Sequence, residues 1–105
     1  MAKDTPPLKV LQGNALTAQQ KKDLLHRLAR VEGQLRGVQK LIAKATEPAD
    51  CDGIAQQMSA ARKALDRSFV NLLTSAMVTH TENSTTTEDA LASARHLAKF
   101  LDKYI

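Results

Sequence analysis

From Leu24 onward, apolar residues recur at Leu24, Leu28, Val31, Leu35, Val38, Ile42 and Ala45, in alternating steps of four and three. That spacing keeps them on one stripe of an α-helix, the seam by which a helix packs against others. Thr17 followed by Gln20 has the spacing of a capping box, so the helix is predicted to open there. Pro48 closes it, because proline lacks a backbone donor and drives the preceding Glu47 toward extended geometry. A second helix is predicted from Asp50, as N-cap, to about His80. Its seam is Ile54, Met58, Ala61, Leu65, Ser68, Leu72 and Ala76, with Phe69, Leu73 and Met77 beside it. The polar segment from Thr81 to Thr87 reads as a turn. Thr85 and Glu88 form a further capping box ahead of Leu91, Ala94, Leu97, Leu101 and Tyr104 on a third helix. Nothing alternates with period two. The chain is predicted all-α with three helices: a flexible N-terminal arm over residues 1–16, marked by Pro6, Pro7 and Gly13, then one helical domain over residues 17–105.

The two long helices carry apolar stripes wider than one antiparallel hairpin covers. Leu25, Leu41, Phe69 and Leu73 lie beside the main seams and need partners. A short third helix covers only part of that surface, so an antiparallel helical bundle dimer or larger assembly is expected.

Composition narrows the function. Of 105 residues only Phe69, Phe100 and Tyr104 are aromatic, too few rings for a surface that stacks single-stranded bases. One cysteine excludes an intrachain disulfide framework and a four-cysteine zinc site. The opening residues have no apolar run of signal-peptide length, and no stretch approaches the ~18 apolar residues of a membrane span, so a cytoplasmic protein is expected. No carboxylate pair, His/Ser pair or phosphate-cradling loop suggests an enzyme.

The net charge of +4 is unevenly spread. Between Lys21 and Lys44, seven basic residues stand against two acidic ones, a net of +5. The second helix adds Arg62, Lys63 and Arg67. A stripe of Lys and Arg on the first two helices suits the phosphates of a duplex, which would make binding strongly salt-dependent. A plain solvated helix face is the alternative. Gly33 and Gly37 lie inside the long periodic segment and not in a turn, so no helix-turn-helix is indicated. Spaced four apart, they share one face, where another backbone or a ligand could come close.

Cys51 falls in the first turn of the second helix, where the dipole favours thiolate and the flanking Asp50 and Asp52 oppose it. His80 lies at the other end, about 43 Å away at the helical rise of roughly 1.5 Å per residue. The two can form a site only between chains, if two copies of this helix pack antiparallel. His26 and His96 read as ordinary solvated residues.

The segment HRLARVEGQLRGVQKLI (His26 to Ile42), followed by Cys51 and AQQMSAARKALDR (Ala55 to Arg67), resembles the CsoR/RcnR/FrmR family of small all-helical bacterial repressors. These respond to copper, nickel or cobalt, formaldehyde, or sulfur species. The resemblance runs from residue 18 to 104 and implies a dimer of dimers that binds operator double-stranded DNA and releases it when an effector occupies a dimer-interface site. Carried over by position, it puts Arg27 and Arg67 on DNA, with Arg30, Arg36, Lys40 and Arg62 on the same basic face. Cys51 matches the effector cysteine. At the two later positions of the second helix where the family's metal sensors place ligands, this chain has Ala76 and His80. The expected sensing pair is Cys51 with His80 of another chain, also the candidate metal ligands. An aldehyde, another electrophile or a sulfur species acting on the thiol is slightly favoured over a transition-metal ion such as Cu(I), Ni(II) or Co(II), and no resident cofactor is expected. The rival expectation is a helical protein–protein scaffold without DNA binding.

Overall fold

The computed structural model describes residues 15–104. The expected arm over residues 1–16 lies outside them apart from its last two positions. Three helices follow one another: α1 (Ala18–Lys44), α2 (Asp50–Asn83) and α3 (Thr87–Tyr104). No strand occurs among the described residues, so the all-α reading holds.

Local chemistry explains where each helix starts. At α1 the capping box forms as its spacing predicts. The Gln20 amide donates to the Thr17 hydroxyl at 3.1 Å, and the Thr17 amide donates back to Gln20 Oε1 at 2.8 Å. The start of α2 differs from expectation. Asp50 does not cap the amides that follow it; its Oδ2 turns back to accept from the amides of Thr46 (3.0 Å) and Glu47 (3.1 Å). Tight i→i+3 bonds from the amides of Asp50, Cys51 and Asp52 to the carbonyls of Glu47, Pro48 and Ala49 lead into the helix. Pro48 therefore sits in the turn that leads into α2, where its missing donor costs nothing. Those two amides hold the Asp50 carboxyl below its ordinary value of 3.8, with Thr46 the stronger cause.

At α3 the cap is one residue later than the spacing predicts. Thr86 Oγ1 accepts from the Asp89 amide at 3.0 Å, and the Thr85 hydroxyl donates to Asp89 Oδ2 at 3.1 Å. With three consecutive threonines, hydroxyl spacing alone allows either register, and the continuation of α2 to Asn83 decides between them.

The chain forms two compact units. One is the hairpin of Lys21–Asn71, comprising most of α1 and the first part of α2. The other joins the opening of α1, up to Gln20, to Leu72 and beyond, including α3. In the hairpin, Val31, Val38, Ala61 and Ser68 are buried, the Ser68 hydroxyl donating to the Ala64 carbonyl at 3.0 Å. In the second unit the buried residues are Leu73, Thr79, His80, Ser93 and Leu97. Gln20 fastens this unit: its Oε1 accepts from the Thr79 hydroxyl at 2.7 Å and its Nε2 donates to the Ser75 carbonyl at 3.5 Å.

The seam of α2 is only partly covered. Its small residues Ala61 and Ser68 are buried, while Met58, Leu65 and Leu72 remain 51, 48 and 38% exposed. Small side chains let the hairpin close, and their larger neighbours extend past it. Between them lies an open groove of about 540 Å³ lined by Val31, Leu35, Met58, Ala61, Arg62 and Leu65.

Candidate nucleic-acid face and effector site

All six basic candidates, Arg27, Arg30, Arg36, Lys40, Arg62 and Arg67, are exposed and belong to the Lys21–Asn71 hairpin. On α1, Arg27 with Arg30 and Arg36 with Lys40 stand three and four residues apart, so each pair shares a face. Gly33 and Gly37 fall between these residues, turned away from the buried Val31 and Val38 by helical geometry. A Cβ built on either glycine meets nothing within 4 Å. Packing within this chain therefore gives no reason for glycine, although each costs about 1 kcal/mol in a helix interior relative to alanine.

Cys51 is a free, exposed thiol in the first turn of α2, in the same hairpin. Its amide donates to the Pro48 carbonyl at 3.1 Å, which fixes the backbone while leaving the side chain to solvent. His80 lies in the other unit, near the far end of the same helix. It is only 5% exposed, and its buried Nδ1 has no hydrogen-bond partner. The imidazole pKa is pushed below its ordinary 6.5, first by burial and then by the charge of His96. Both influences favour the uncharged imidazole, the form in which histidine ligates metals.

His96 differs from its sequence reading. Read as an ordinary solvated side chain, it is half-buried on α3 and close enough to His80 to influence its charge. Its ring packs edge-on to Phe100 with centroids 5.9 Å apart. That influence passes from α3 to α2, and no short-range spacing encodes it. One cue was available: Ser93, His96 and Leu97 fall at helical steps of three and four, the spacing of an inward-facing stripe. Ser93 is fully buried and its hydroxyl lacks a partner. A buried polar atom left unsatisfied costs about 1–3 kcal/mol, so such atoms call for an explanation. His26 is exposed, as read.

Among the described residues no group of three or more His, Cys, Asp or Glu side chains stands together in position to hold a metal ion. The Cys51 thiol and the exposed His26 belong to one unit, and His80 and His96 to the other. No described helix is long and apolar enough to cross a membrane.

Among curated proteins and among solved structures no significant match is found. A family model described as metal-sensitive transcriptional repressor matches residues 20–103, all three helices nearly end to end. The exposed basic hairpin and the solvent-facing cysteine thus stand in a regulator and not a catalyst: the chain belongs to the metal-sensitive transcriptional repressor family.

Proposed function

We propose that this repressor is a cytoplasmic homo-oligomer, a dimer of dimers, that holds operator DNA through Arg27 and Arg67, with Arg30, Arg36, Lys40 and Arg62 adding phosphate contacts. The observation that carries this reading is the exposure of all six on one compact hairpin. Exposed Lys and Arg concentrated on one unit release condensed counterions when they meet a duplex. The half-covered seam, with Leu35, Met58 and Leu65 around the 540 Å³ groove, supplies the apolar surface on which a second copy packs.

The effector acts at Cys51. An exposed thiol on a helix N-terminal turn can add to an aldehyde carbonyl, be alkylated by another electrophile, or take the outer sulfur of a persulfide, whose remaining thiol leaves. Modification at a chain–chain contact changes how the copies pack and moves the basic faces off their phosphates. A second reading, favoured by the unpartnered Nδ1 of His80, has a soft or borderline metal ion shared by Cys51 and His80 of a second copy.

Replacing the thiol tests both forms. Cys51→Ala is expected to bind operator DNA with unchanged affinity and to remain bound when formaldehyde, persulfide, Cu(I), Ni(II) or Co(II) is added. Release of this variant by the same effector that releases the natural chain removes Cys51 from the mechanism. Absence of salt-dependent DNA binding by the natural chain favours a protein–protein scaffold instead.

A further inference from the structure

We infer that an outward stripe of α1 is a track for one sugar–phosphate strand of a DNA duplex, with Gly33 and Gly37 at the points of closest approach. The track rests on the DNA binding proposed above and adds the residues that lie nearest the strand. Lys22, His26, Gly33, Gly37, Lys40 and Lys44 follow one another at three, four or seven residues, so they line one stripe of the helix. The stripe is about 33 Å long at the helical rise of roughly 1.5 Å per residue. Its three lysines and its imidazole are all exposed. Of the two acidic residues of α1, Asp23 borders the stripe near its start and Glu32 lies on another face. The buried Val31 and Val38 belong to a different side of the helix.

Charge selects the occupant. Two copies meeting through this stripe would set cation against cation, whereas a duplex presents one negative charge about every 1.7 Å of its axis. The glycines set the distance of approach. Each weakens a helix interior, yet a Cβ on either meets nothing within 4 Å, so packing within the chain does not call for them. With no side chain at either position, α1 seats a strand against its own backbone. Lys22 and His26 on one side of the glycines, and Lys40 and Lys44 on the other, then reach phosphates further along the strand. Contacts of this kind position a duplex without reading its bases, so the track serves operator and unrelated DNA alike. Arg27 lies off the stripe, which keeps its contribution separable from that of the glycines.

Filling the glycine positions without changing charge tests the track. The double variant Gly33→Leu, Gly37→Leu is expected to lower affinity about tenfold for operator and for a duplex of unrelated sequence alike, and to flatten the salt dependence. Its oligomeric state without DNA, read by sedimentation, is expected to match that of the natural chain. The double variant Gly33→Ala, Gly37→Ala should melt at a higher temperature, because alanine favours helix and its methyl enters open space, and should still bind DNA more weakly. Gly53→Ala, equally open but on α2, should leave DNA affinity unchanged. Natural affinity in both double variants, a loss confined to operator, or an altered oligomeric state would each overturn the track. Where the leucine pair does not fold, the alanine pair decides. A natural chain that binds no DNA removes the track and the proposed function together. Binding that falls in Arg27→Ala but in neither glycine pair removes the track alone.

Discussion

The two compact units of this chain solve opposite problems. The Lys21–Asn71 hairpin carries ten basic residues against six acidic ones, a net of +4, and leaves large apolar side chains such as Leu25, Met58 and Leu65 in solvent. The unit built from Gln20 and its predecessors with Leu72–Tyr104 holds three basic against four acidic among its described residues, a net of −1. It buries polar groups instead: Thr79, His80 and Ser93. One unit presents what a polyanion and a second copy would use, the other closes on its own polar groups, and α2 runs through both.

The largest effect that sharpens the contrast is in packing. Leu97→Ala, in the polar-burying unit, removes a side chain only 4% exposed. It is expected to lower stability by about 3 kcal/mol in denaturant unfolding. Leu25→Ala, 65% exposed on the hairpin, should change the isolated chain by less than about 0.5 kcal/mol while weakening self-association. Equal stability losses would erase the distinction between the units.

Next comes the basic face. Arg27→Ala is expected to lower operator affinity about tenfold and to flatten its salt dependence by roughly one phosphate contact per DNA-facing copy. Unchanged binding at matched salt would show that the hairpin's charge serves only solubility.

Gln20→Ala asks how the second unit is tied together. It removes the reciprocal cap and leaves the buried Thr79 hydroxyl without its acceptor. A loss of about 1–3 kcal/mol is expected, against about 1 for Thr17→Ala, which takes away only one capping oxygen. Equal losses would mean that the Thr79 bond contributes nothing.

The smallest effect concerns pH at the start of α2. Because the Asp50 carboxyl is held below 3.8 by the Thr46 and Glu47 amides, its contribution is fully present above that pH. It is lost as pH falls through the folded-state value, below 3.8, where the unfolded chain also becomes protonated. Amide NMR shifts of Thr46 and Glu47 should move in that window, and Asp50→Asn should abolish the step. A step centred above 3.8 would contradict the back-turned geometry.

Much of this molecule was written locally. Helix number and type followed from three- and four-residue steps. The α1 cap followed from Thr17 and Gln20, and the basic hairpin from the crowding of Lys and Arg between Lys21 and Lys44. These properties depend on residues within one or two turns of each other, which sequence reports directly. Where several side chains competed for the same local role, spacing was insufficient. Thr85 and Thr86 both offered a cap to α3, and Asp50 could reach forward or back. Which hydrogen bonds form depends on where the preceding helix ends.

Short-range pattern carries the helices, the charge distribution and a lone thiol at a helix start. Packing between helices leaves Met58 and Leu65 open while Ala61 and Ser68 close, because burial depends on what packs opposite and not on a residue's own hydrophobicity. It alone enclosed His80, left its Nδ1 without a partner and brought the ring within the electrostatic reach of His96. Those two histidines lie on different helices, so no periodicity along one helix relates them.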